Sequence, residues 1–111
     1  MTDFDVRTDA RGIGVVTPKG RLNMVSAKQL RTAVSELVDA GTTKVVVDLA
    51  ETTFLDSSGL GALVAGLKSA RQAGGDLRIA RPTQQVVTVL GLTNMDKVLR
   101  PRESVDGAFD G

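Results

Sequence analysis

The sequence predicts an α/β domain, with a mixed sheet of four to five strands flanked by about four helices. Short β-branched runs such as Val45-Val46-Val47 alternate along the chain with longer stretches whose apolar residues recur at helical spacing. That alternation implies a mostly parallel sheet, with right-handed crossovers laying helices against it. Two strand-like runs open the chain with only a turn between them, which adds an antiparallel pair and makes the sheet mixed.

Phe4 to Thr8 and Ile13 to Lys19 are the opening strands, joined by the turn Asp9-Ala10-Arg11-Gly12. Pro18 and Gly20 mark the end of the second. Ser26 is expected to cap a helix running to about Ala40, with Ala27, Leu30, Val34, Leu37 and Val38 on its apolar face and Gly41 just past its end. Lys44 to Leu49 is too short and too β-branched for a helix and reads as a strand covered on both faces. A helix to about Ala73 carries the stripe Leu60, Leu63, Val64 and Leu67, read as core, and Gly74-Gly75 ends it. Asp76 to Ala80 alternates as a strand does, and Pro82 opens a third helix with Val86, Val89 and Leu90 that stops at Gly91. Val98-Leu99-Arg100 reads as a short edge strand closed by Pro101. Ser104 is expected to cap a last short helix through Phe109, with Asp110-Gly111 frayed.

Composition narrows the function classes. At 111 residues, the whole of 1–111 is expected to be one domain. Lys and Arg number 14 against 13 Asp and Glu, so the formal charge of +1 offers no footprint for nucleic acid or an anionic membrane. No apolar run approaches the roughly 18 residues of a membrane span. The acidic start Met1-Thr2-Asp3-Phe4-Asp5 lacks a signal peptide's apolar segment, and a cytoplasmic protein is expected. With no His and no Cys, zinc has no ligand set, and only a weak Asp-based Mg²⁺ site stays open. Asp48, Arg78, Arg81, Arg100 and Arg102 are read as turn or solvated residues, and Met24 and Met95 as gap fillers in the core.

The singular stretch is Phe54-Leu55-Asp56-Ser57-Ser58-Gly59-Leu60-Gly61, placed between a strand and the start of a helix. Any of Asp56, Ser57 and Ser58 can cap that helix, but capping needs one such residue and three stand in a row. Gly59 and Gly61 each cost up to about 1 kcal/mol against Ala inside a helix, which suggests a close approach to the backbone. The loop also follows a strand's carboxyl end, where α/β proteins gather function. A nucleophilic Ser57 or Ser58 would need a base; His is absent, and Lys68 lies about three turns away along the helix. The glycines have neither the spacing nor the lysine of a phosphate loop. A helix start does tolerate added negative charge, so a serine here is more readily modified than attacking.

These residues resemble the STAS domain of bacterial anti-sigma factor antagonists. Leu55-Asp56-Ser57-Ser58-Gly59-Leu60-Gly61 is similar to the family signature. Val45-Val46-Val47-Asp48-Leu49, Gly74-Gly75-Asp76-Leu77 and the closing run Val89 to Val98 extend the resemblance over nearly the whole chain. The resemblance implies that Ser57, directly after the Asp, is the regulatory phosphoserine, with Ser58 the less favoured acceptor. It implies partner contacts through Arg21, Asn23, Asp56, Ser57, Ser58, Gly59 and Gly61. It also implies that the unphosphorylated protein binds an anti-sigma factor that is itself a serine kinase, frees the sigma factor, and is released on phosphorylation. A serine phosphatase would reset it. ATP and Mg²⁺ would belong to the kinase, so no cofactor and no enzymatic activity are expected of this chain. Many antagonists carry Gly-Glu-Leu-Asp where this chain has Gly20-Arg21-Leu22-Asn23. That departure keeps open a scaffold or transport-assembly role outside sigma control.

Overall fold

The computed structural model describes residues 4–109. Met1-Thr2-Asp3 and the tail Asp110-Gly111 lie outside them. Strands β1 (Phe4–Thr8), β2 (Gly14–Pro18), β4 (Lys44–Asp48) and β6 (Asp76–Ala80) form one sheet in the order β1-β2-β4-β6. The β1–β2 pair is antiparallel and the others are parallel, as the alternation predicted. Strands β3 (Gly20–Leu22) and β5 (Thr52–Leu55) pair in parallel as a second, two-stranded sheet. Sequence reasoning missed both, because each is shorter than a recognisable alternating run. The helices are α1 (Met24–Asp39), α2 (Ser57–Gln72), α3 (Gln84–Thr93) and the single turn α4 (Asp96–Leu99).

The turn after β1 is held by Asp9, whose carboxylate accepts from the amides of Arg11 and Ile13. The Ile13 amide first, and then Arg11, keep this carboxyl below its usual range. The stabilisation it lends the hairpin is therefore present at neutral pH and is lost as pH falls through that lowered value.

One face of the main sheet presents Val16, Val45, Val47, Leu77 and Ile79 to Leu30 and Val34 of α1, Leu63 and Leu67 of α2, and Val86 and Leu90 of α3. On the other face Val46, Ala80 and Ile13 pack against Ala108, with Val105 and Phe109 alongside. The β-branched run of β4 is therefore covered on both sides, as its composition required.

Several expectations are corrected. Asn23, not Ser26, caps α1; its side chain accepts from the amides of Val25 and Ser26, while Ser26 Oγ accepts from the Asn23 amide. Both residue types cap well, and the reciprocal pair makes each necessary to the other. Gly91 does not stop α3, which runs on to Thr93 and ends at Asn94 in the left-handed conformation, φ 58°. Residues 98–100 are not an edge strand. Leu99 drives into the core from α4, and the place beside β6 is taken by Arg102, bridged to Ala80. Residues 104–109 form turns, with Ser104 Oγ accepting from the Gly107 amide. A helix there would pull apolar residues off the sheet's second face. Arg78 holds the segment down instead, donating to the Ala108 carbonyl and lying 4.9 Å from the Phe109 ring centroid.

Nor is Arg81 merely solvated. Its guanidinium grips the buried carboxylate of Asp48 with two donors, Nε at 3.1 Å and Nη2, and the bonds to Asp48 hold its proton more tightly still. Asp48 also accepts from the Ala50 amide, so it ties the end of β4 both to the loop that follows β6 and to its own turn. Asp48→Ala is expected to lower the unfolding free energy by about 2 kcal/mol in urea titration, because it removes charged hydrogen bonds from a buried position.

Candidate functional site

Pairing Leu22 with Leu55 at the ends of β3 and β5 fixes where two helices begin. Asn23 and Asp56 follow directly, and each is the N-cap of its helix. The two helix starts thus emerge side by side from one sheet edge. The Asp56 amide donates to the Leu22 carbonyl (3.4 Å), and its carboxylate accepts from the Gly59 amide (2.9 Å). Of the three candidate capping residues, the structure chooses Asp56.

That leaves both serines without a capping duty. Ser57 is the first helical residue and is exposed; Ser58 follows and is half-buried. Neither hydroxyl makes a hydrogen bond to the described residues. The two face different surroundings. Ser57 opens on a groove of about 420 Å³ along α2, walled by Leu60, Val64 and Ala65, by Thr93 at the end of α3 and by Met95 just past it. Ser58 lines a separate cleft of about 220 Å³ with Met24, Ala27, Lys28 and Arg31 of α1. The predicted stripe therefore splits: Leu63 and Leu67 are core, while Leu60 and Val64 are only partly covered and wall the groove. Lys68 lies at the groove's far end.

The two glycines also part company. A Cβ on Gly59 would lie 2.3 Å from the Leu22 carbonyl oxygen and 2.8 Å from Leu55 Cδ1. The close approach that selects glycine there comes from this chain's own β3, and Gly59 is buried. A Cβ on Gly61 would meet only Arg31 Nη2, at 3.6 Å, and this position is partly open.

Arg21 and Asn23 have structural work of their own. The Arg21 guanidinium lies 4.5 Å from the centroid of Phe54 across the β3–β5 pair, and Asn23 caps α1. Met24 does not fill the core: it is 68% exposed at the start of α1, and Val25 beside it is 71% exposed. Met95 is half-buried in the groove wall.

Sequence reasoning missed Gln85. From α3 its amide brackets the backbone of Leu55, with Oε1 accepting from the amide (3.0 Å) and Nε2 donating to the carbonyl (3.4 Å). Thr83 Oγ1 donates to the Thr52 carbonyl, and Thr52 Oγ1 to the Pro18 carbonyl. A lone glutamine in a helical run carries no sequence signal for such a role. Among the described residues no group of His, Cys, Asp and Glu could hold a metal ion, and no helix is long and apolar enough to cross a membrane.

Residues 6–108 match the model of the STAS domain family. A curated protein of Thermotoga maritima, named as a candidate anti-sigma factor antagonist, is 29% identical over 97 residues, 86% of each chain. The crystal structure of an anti-sigma factor antagonist from Mycobacterium paratuberculosis superposes with a TM-score of 0.85 at 26% identity, over 99% of this chain and 92% of its own. The antagonist SpoIIAA in its unphosphorylated form gives 0.83 at 19% identity, covering 97% of this chain and 94% of its own. The Bacillus protein of that name in its phosphorylated form gives 0.75, also at 19%, covering 97% of both chains. At that identity the likeness to SpoIIAA is one of fold.

Two alanine substitutions separate the glycines. Gly59→Ala is expected to cost about 2–3 kcal/mol, since the backbone carbonyl it meets cannot yield without moving β3. Gly61→Ala is expected to be neutral or to stabilise by up to about 1 kcal/mol, from helix propensity alone. Thermal and urea unfolding of both variants checks the pair. Gln85→Ala is expected to cost about 1–2 kcal/mol by the same measurement, because it leaves both polar groups of Leu55 without their partner.

Proposed function

The chain belongs to the STAS domain family, and we propose that it works within that family as a phosphorylation-switched anti-sigma factor antagonist. In this reading the unmodified protein docks on an anti-sigma factor that is also a serine kinase, and so frees the sigma factor. The kinase, with its own ATP and Mg²⁺, phosphorylates Ser57 and is released, and a serine phosphatase resets the switch in the cytoplasm. The chain itself binds and is modified; it does not catalyse.

One observation carries the reading: Ser57 stands exposed at the first position of α2, its hydroxyl unbonded among the described residues, on the rim of an apolar groove, with the capping already done by Asp56. A phosphate there adds about −1.5 to −2 charges at pH 7 next to the Asp56 carboxylate. The helix start tolerates that charge, so the fold survives it. A surface docked over the groove meets bulk and an anion that must be desolvated, at a cost of several kcal/mol.

The alternative of a scaffold or transport-assembly subunit was motivated by Arg21 and Asn23. Asn caps a helix as well as Asp does, and Arg21 rests on Phe54, so both departures have a local reason that requires no change of partner.

The test is binding to the serine-kinase anti-sigma factors encoded in the same genome, by calorimetry. Wild type and Ser57→Ala are expected to bind alike, with only wild type gaining a phosphate and dissociating when ATP is added. Ser57→Asp is expected to bind on the order of 100-fold more weakly while melting within a few degrees of wild type. Equal affinity of Ser57→Asp and wild type overturns the reading.

A further inference from the structure

The cleft on the other side of the switch has a different character from the groove. Ser58 faces Lys28 and Arg31, with no acidic residue in the lining. Lys28 and Arg31 lie three residues apart on one face of α1, where like charges repel. Neither makes an ion pair among the described residues. Of the neighbouring charges, Asp56 faces Gly59 as a cap, Arg21 lies over Phe54, Lys68 belongs to the groove, and Glu36 shares a separate surface cleft with Lys28 without an ion pair to it. The cleft thus sets two exposed cations beside Ser58, a half-buried residue whose hydroxyl makes no hydrogen bond to the described residues.

We propose that this cleft is the receiving site for a phosphoryl group on Ser58, a second modification site in which Lys28 and Arg31 clamp the phosphate and so lock α1 to the start of α2. Transfer from a nucleoside triphosphate forms the bond from Ser58 Oγ to the γ-phosphorus and breaks the bond to the β-bridging oxygen. The hydroxyl proton goes to a base of the kinase, and the nucleoside diphosphate leaves. The charge-assisted bonds then run from α1 to the phosphate, and like-charge repulsion becomes attraction. The two serines would have opposite consequences. A phosphate on Ser57 stands at the groove mouth and obstructs a partner. One on Ser58 is drawn inward, stiffens the domain and masks two cations. The inference shares its modification chemistry with the proposed function but stands on the cleft alone, whether or not the partner is an anti-sigma factor.

The experiment places phosphoserine genetically at 57 or at 58 in the full chain, alone and with Lys28→Gln plus Arg31→Gln, and follows each by ³¹P NMR titration and thermal melting. Phosphoserine at 58 is expected to ionise for the second time about tenfold more readily than at 57, and the double substitution is expected to abolish the difference. Because the folded form holds the dianion, the gain in melting temperature is expected above about pH 6 and lost as pH falls below it. Phosphopeptide mapping of protein from its own cells is expected to find phosphate on Ser58. Equal ionisation at the two positions, insensitivity to the double substitution, or a cellular protein that never carries phosphate on Ser58 overturns the inference. None of these outcomes bears on whether Ser57→Asp weakens kinase binding.

Discussion

The bare α-carbon of Gly59 against the carbonyl of Leu22 is the contact on which the rest of the site depends. It lets the first turn of α2 lie directly on β3. The same approach brings the caps of α1 and α2 to one edge and aims the two serine hydroxyls to opposite sides of the helix start. Any side chain at 59 would have to push β3 away, and the pairing of Leu22 with Leu55 would go with it.

Polar links from distant parts of the chain then fix the loop. Asp48 and Arg81 tie the end of β4 to the turn after β6. Thr52 reaches back to Pro18, and Thr83 and Gln85 reach in from the start of α3. These bonds connect strands that the hydrophobic core alone would leave free to shift along one another. They hold the start of α2 in place against β3 and β5.

Much of this was legible in the residues. The alternation of β-branched runs with helical stripes gave the parallel sheet and its three main helices, because burial on both faces leaves a continuous apolar signature. The stretch from Asp56 to Gly61 stood out for the same kind of reason: three capping residues where one suffices. Residues whose role depends on distant partners were not legible. Gln85, Arg81 and Arg78 look like surface residues in sequence, and nothing near them announces Leu55, Asp48 or Phe109. Strands β3 and β5 were too short to show a period. The C-terminal turns were read as a helix because Ser104 has capping chemistry, yet the need to cover the second face of the sheet decided their shape.

The bracket that Gln85 places on Leu55 has one more consequence. Among the described residues no strand pairs with β5 beyond β3, and an open rim of that kind invites edge-to-edge addition by another copy of the chain. By occupying the amide and carbonyl of Leu55, one glutamine side chain stands in for the missing strand and blunts the rim.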